Sequence, residues 1–125
     1  GRAFETSTGS GHTAIIEGGG QNRGPSPMEL VLVGLAGCTA IDVIDILEKK
    51  KVAVNGFQVR VEGTRAETAP MVYTRIDVIY TVRGKDIPPR AVEQAIQLSE
   101  ENYCSVGAML GKTAQINSRY EIIAE

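Results

Sequence analysis

Two cysteines are the residues of this chain with the widest choice of chemistry. Cys38 lies in GPSPMELVLVGLAGCTAIDVIDIL, residues 24 to 47, and Cys104 lies in LSEENYCSV, residues 98 to 106. Among Leu35, Ala36, Ala40 and Ile41, a cysteine is first of all a small apolar core residue. A disulfide between the two would stabilise by roughly 4 kcal/mol in the chain-entropy model, but a reducing compartment opposes a permanent one. Metal binding would draw on Cys38, Cys104 and His12, the chain's lone histidine, and no two of them have local ligand spacing. His12 follows a Gly-rich segment, which is poor support for a cysteine hydrolase. The remaining use is redox. One thiolate attacks a peroxide oxygen and becomes a sulfenic acid; the second thiol condenses with it to a disulfide and releases water. That cycle requires both cysteines to be sheltered and able to meet, which a second helix packed against the first would allow.

The elements that must position them are legible as patterns. His12 to Glu17 reads as a short strand, and GGGQNRGPSP, residues 18 to 27, as a loop. The glycines there match neither a Walker loop nor a dinucleotide fingerprint. Ser26 to Glu29 has capping-box spacing, with Pro27 suited to the first helical position. The spacing predicts a helix to Leu47, closed by Lys49, Lys50 and Lys51 near its negative end. Asp42, Asp45 and Lys49 form one solvated stripe in this reading, whereas the segment before Asp42 has almost no polar face and is expected to be buried from several sides or against another subunit. Two strands follow with period-two alternation. Phe57, Val59 and Val61 mark the first; Val72, Thr74, Ile76, Val78, Tyr80 and Val82 share one side of the second. Thr64 to Pro70 joins them as an antiparallel hairpin. Residues 89 to 103 make a second helix, Val106 to Leu110 a short helical turn, and Ala114 to Ile122 a closing strand. The order gives an α+β layered protein.

The totals set the frame. With 125 residues and 42% hydrophobic content, the chain can fold as one domain around its own core, without a zinc or disulfide framework. A net charge of -2 argues against nucleic acid and anionic membranes as partners. The first residues hold no apolar targeting core, and the uncharged run Leu30 to Ile41 is too short to span a bilayer. A cytoplasmic location is therefore expected.

The paired contexts GPSPMELVLVGLAGCTAIDV and LSEENYCSV resemble the OsmC/Ohr superfamily, in particular its OsmC-like branch, over nearly the whole chain. The resemblance implies a single OsmC-like domain over residues 1–125. It also implies an intertwined homodimer with curved antiparallel sheet around long central helices. It implies a thiol-dependent peroxidase acting on organic hydroperoxides, with Cys38 as the peroxidatic thiol and Cys104 as the resolving thiol. No bound cofactor is expected; reduction would come from an external dithiol, often lipoyl-linked. The alternative is a dimer that binds a small hydrophobic ligand or senses redox state without turnover. Family sites also use an N-terminal arginine, for which Arg2 is the positional candidate, with Arg23 as another cation. They use a glutamate ahead of the first cysteine too, but here Met28 occupies its position and Glu29 follows it. On an ideal helix Glu29 and Cys38 are about 180° apart and roughly 13.5 Å apart along the axis. Glu29 thus either reaches a partner's thiol or caps the helix. Met28, His12 and Tyr103 are the candidates for lining the pocket.

Overall fold

The computed structural model describes all residues, Gly1–Glu125, and divides them into two compact units, residues 1–33 and 34–125. In the first unit, β1 (Ala3–Ser7) pairs antiparallel with β2 (Thr13–Glu17), Ala3 opposite Glu17. The connecting turn uses Gly11 at φ +88°, and the Gly11 amide donates to the Thr8 carbonyl. The loop after β2 folds back on it: the Glu17 amide donates to the Pro25 carbonyl. Gly24 passes so near β2 that a Cβ there would stand 2.5 Å from the Ile15 carbonyl oxygen, so the position requires glycine. The buried Glu17 carboxylate accepts from the Gly19 amide at 2.7 Å and meets Arg23 Nε at 3.4 Å.

Helix α1 (Pro27–Lys49) begins in this unit, and the boundary falls within it. Its start follows the expected chemistry. Glu29 Oε1 accepts from the Ser26 amide at 2.9 Å, while Ser26 Oγ accepts from the Glu29 amide at 3.1 Å. Its end is a Schellman turn: Val52 N–H reaches the Leu47 carbonyl and Lys51 N–H the Glu48 carbonyl, with Lys51 at φ 60°.

In the second unit α1 buries Leu35, Thr39, Val43 and Leu47, one residue per turn on a single stripe. By length and composition α1 could cross a bilayer: it is 23 residues long with mean hydropathy 2.2 over its most apolar stretch. The run counted from Leu30 to Ile41 therefore understates the apolar length. Its buried stripe, however, belongs to a protein core: Thr39 is hydrogen-bonded to Tyr80 and Ser99.

β3 (Gly56–Arg65) and β4 (Tyr73–Gly84) form the expected antiparallel hairpin, followed by α2 (Pro89–Leu98), a π turn (Ser99–Tyr103), α3 (Ser105–Leu110) and β5 (Gln115–Ala124). The sheet order is β3-β4-β5, and β5 runs parallel to β4, Tyr80 opposite Tyr120. The sheet is mixed, which corrects the expectation of antiparallel pairing throughout. A helical crossover between neighbouring strands returns the chain to the end where the first strand began, so the two strands run the same way.

β4 buries Ile76, Val78, Tyr80 and Val82 as its alternation requires. Strict alternation puts Val72 on this side and Tyr73 on the other, but Tyr73 is buried and Val72 is 39% exposed. The register slips between Thr64 and Arg65, and one extra residue exchanges the two faces of a strand. α2 closes the core with Val92, Ala95 and Ile96.

Candidate active site

Cys38 lies half-buried on α1, and Asp42 follows one turn later on the same face. Cys104 arrives from a distant part of the chain, and the π turn sets its place. The Cys104 amide donates to the Ser99 carbonyl, five residues back, at 2.7 Å, closing a turn wider than an α-helix would make. The result is a three-sided cluster: the Cys38 and Cys104 sulfurs and a carboxylate oxygen of Asp42 all lie within 4.8 Å of one another. In donor type and size the cluster could bracket a soft divalent cation.

The two cysteines have different surroundings. Cys104 is buried, 4% exposed, whereas Cys38 is half-buried. Burial pushes the Cys104 thiol up to about 11, opposed by the Gly107 amide and reinforced by Cys38 and Asp42. That amide donates to Cys104 Sγ at 3.3 Å at the start of α3. Gly107 is held close: a Cβ there would sit 3.2 Å from Cys104 Sγ and 3.6 Å from Leu35 Cδ1. Beside Cys104 opens a cavity of about 370 Å³, lined by Leu35, Thr39, Val78, Tyr80 and Gly107 among others.

Behind the cluster runs a buried chain of hydroxyls. Tyr80 OH lies 2.6 Å from Thr39 Oγ1, Thr39 Oγ1 lies 3.0 Å from Ser99 Oγ, and Ser99 Oγ donates to Asp42 Oδ2 at 3.0 Å. Desolvation pushes the Tyr80 phenol up to about 12, against the pull of its hydrogen bond with Thr39.

Of the residues singled out from sequence, Cys38 and Cys104 come together. Glu29 completes the cap of α1. Arg2 is exposed just before β1 and forms no ion pair, while Arg23 is engaged with Glu17. His12 belongs to the β1–β2 turn, its Nδ1 2.9 Å from Ser10 Oγ. Met28 occupies the first turn of α1. Tyr103 is 59% exposed and borders an outer hollow shared with Asp42, Asp45 and Lys49, rather than the cavity beside Cys104.

Asp42, Ser99, Thr39 and Tyr80 escaped the sequence reading as site residues. The signal for Asp42 was present, because Cys38 and Asp42 are four apart. The stripe formed with Asp45 and Lys49 drew Asp42 toward solvent instead. Nothing in LSEENY marks a π turn.

A family model described as OsmC-like protein matches residues 19–119. Protein YhfA of Escherichia coli K12 is 40% identical over 124 residues, covering 99% of this chain and 92% of YhfA. The crystal structure of a hypothetical protein from Aquifex aeolicus superposes with a TM-score of 0.89 at 33% identity, over 98% of this chain and 89% of that one. The organic hydroperoxide resistance protein OhrB of Bacillus subtilis superposes with a TM-score of 0.65 at 11% identity over 96% of each chain, a likeness of fold.

Proposed function

Because the chain belongs to the OsmC-like family, we propose that it is a thiol-dependent peroxidase that reduces small organic hydroperoxides through a Cys38–Cys104 disulfide. The observation that carries the reading is the approach of two sulfurs, from α1 and from the end of the π turn, to within 4.8 Å. Two core-packing cysteines have no need of that approach, and a disulfide cycle depends on it.

The difference in burial supports the roles that the family resemblance implies. Cys38, the more accessible thiol, attacks the terminal peroxide oxygen; the O–O bond breaks and the alkoxide leaves as an alcohol after protonation. The Cys38 sulfenic acid then condenses with Cys104, forming the disulfide and releasing water. A cavity of about 370 Å³ beside Cys104, whose lining does not include Cys38, has room for the organic group of a small hydroperoxide. No bound cofactor enters the cycle; an external dithiol of lipoyl type, available in reducing cytoplasm, restores both thiols by exchange.

A homodimer with intertwined central helices is part of the same reading. Val33 and Ile41 on α1 are 60% and 65% exposed in the single protomer, which is unusual for large apolar residues on a central helix.

Stopped-flow mixing of the reduced protein with cumene hydroperoxide, read by thiol loss and dimedone trapping, tests the chemistry. The native protein is expected to react far faster than free cysteine and to end as the disulfide. Cys38→Ser loses the fast phase, and Cys104→Ser accumulates sulfenate. Thiol loss at the rate of free cysteine overturns the reading.

A further inference from the structure

We propose that Asp42 is the proton acceptor for the resolving thiol, and that Ser99, Thr39 and Tyr80 are positioning residues that hold it for that task. The inference rests on the two-cysteine reading and adds a residue to its second step.

Resolution poses a proton problem. The nucleophile is a thiolate, but Cys104 is buried and its surroundings favour the neutral thiol. A base must take its proton as it attacks. Asp42 supplies the one carboxylate oxygen in the cluster, within 4.8 Å of both sulfurs. A small side-chain rotation or one bridging water closes that span.

The hydroxyl chain shows how the carboxylate is held. A carboxylate only accepts, so Ser99 must donate to Asp42. Ser99 Oγ then accepts from Thr39, and Thr39 accepts from Tyr80. Every donor in the chain points toward Asp42, and Tyr80, desolvated at its far end, remains protonated. One lone pair of the carboxylate is occupied in this way, and the rest are free for the thiols.

Ser99 has a second duty, since its carbonyl accepts from the Cys104 amide. A single residue thus fixes both the base and the backbone of the thiol it serves. The acceptor also has an outlet: Asp42 borders the outer hollow with Asp45, Lys49, Lys50 and Tyr103. The groups facing its inner side are Cys38, Cys104 and the hydroxyl chain.

The step balances. The Cys104 S–H bond breaks, its proton passes to Asp42, and its electron pair forms the bond to the Cys38 sulfur. The S–O bond of the sulfenic acid breaks, and the departing hydroxide takes the proton from Asp42 and leaves as water. The Cys104 sulfur is oxidised, the sulfenic sulfur is reduced, and the carboxylate is restored.

The test separates this step from peroxide chemistry. The reduced full chain is mixed with an aromatic disulfide such as dithiobis(nitrobenzoate). Cys38 releases the first aromatic thiolate, and attack by Cys104 on the mixed disulfide releases the second. Asp42→Asn is expected to slow the second phase about 100-fold at neutral pH. The slowed rate should then rise about tenfold per pH unit toward the thiol's own ionisation, while the native rate is flat. Asp42→Ser, which keeps a hydroxyl for Ser99, behaves the same and is accelerated by added formate. Ser99→Ala gives a smaller slowing with a shifted pH profile, and Ser99→Thr restores it.

A second phase with native rate and pH profile in Asp42→Asn, or in Asp42→Ser should Asp42→Asn fail to fold, overturns the proposal. Because the aromatic disulfide replaces the peroxide, a protein inert to hydroperoxides would still report on Asp42.

Discussion

Ser99 shows how much one small side chain carries at the scale of a residue. It is fully buried, its hydroxyl sits between Thr39 and Asp42, and its carbonyl receives the Cys104 amide. Buried hydroxyls without partners are costly, so the chain from Tyr80 to Asp42 stands or falls as a set. Tyr80→Phe removes the first donor and leaves Thr39 short of a partner. Denaturant unfolding is expected to show a loss of about 1–2 kcal/mol. The same residues make the fold sensitive to alkali. The Cys104 thiol is raised from 9.0 to about 11 and the Tyr80 phenol from 10.0 to about 12. Raised values mean that the folded state binds these protons more tightly than the unfolded chain does. The stability they contribute is therefore complete below about pH 9 and is lost as pH climbs through about 11 and 12. Melting temperatures of the reduced protein are expected to fall across that window, and Cys104→Ala should flatten the earlier part of the fall.

The elements place these side chains by local rules. α1 starts where the Ser26–Glu29 box satisfies its first amides. Ser26→Ala is expected to destabilise by about 1 kcal/mol, measured by chemical denaturation. Its effect on thiol chemistry should be slight, because Glu29 is held at the cap. The π turn is the decisive element. An α-helical turn closes on the fourth residue back; here Cys104 closes on the fifth, Ser99. That change of phase lets Cys104 leave the helix with its sulfur toward α1 and serve as the cap of α3. β4 supplies the floor: its alternation delivers Val78 and Tyr80 to the cavity and leaves Asp77 to pair with Arg75 at 3.1 Å on the other face.

At the scale of the whole molecule, the proposed dimer makes a separate prediction. Ile41 lies 65% exposed between Cys38 and Asp42 on the helix that carries both. Ile41→Asp is expected to turn a dimer into a monomer in sedimentation velocity, and an unchanged dimer would show that this part of α1 is no interface. The core should respond as a packed one: Leu47→Ala, at a fully buried position, is expected to destabilise by about 2–5 kcal/mol. The sequence by itself determined the order of elements from β2 onward, the capped start of α1, the β3–β4 hairpin, the two cysteine contexts and the family they point to; it gave no sign of β1. These are local or periodic properties, written in spacings of two, three and four residues. The mixed sheet, the slip that buries Tyr73 and the wider turn before Cys104 depend on pairings between distant segments, and no local pattern encodes those. Asp42 shows the division most clearly. Its helical spacing fits a solvated stripe as well as it fits a partner for Cys38. Both hold in the fold: Asp42 keeps its place beside Asp45 and Lys49, and only the arrival of Ser99 and Cys104, from some sixty residues further along the chain, adds the second, because a carboxylate gains inner partners only where folding has brought donors to meet it.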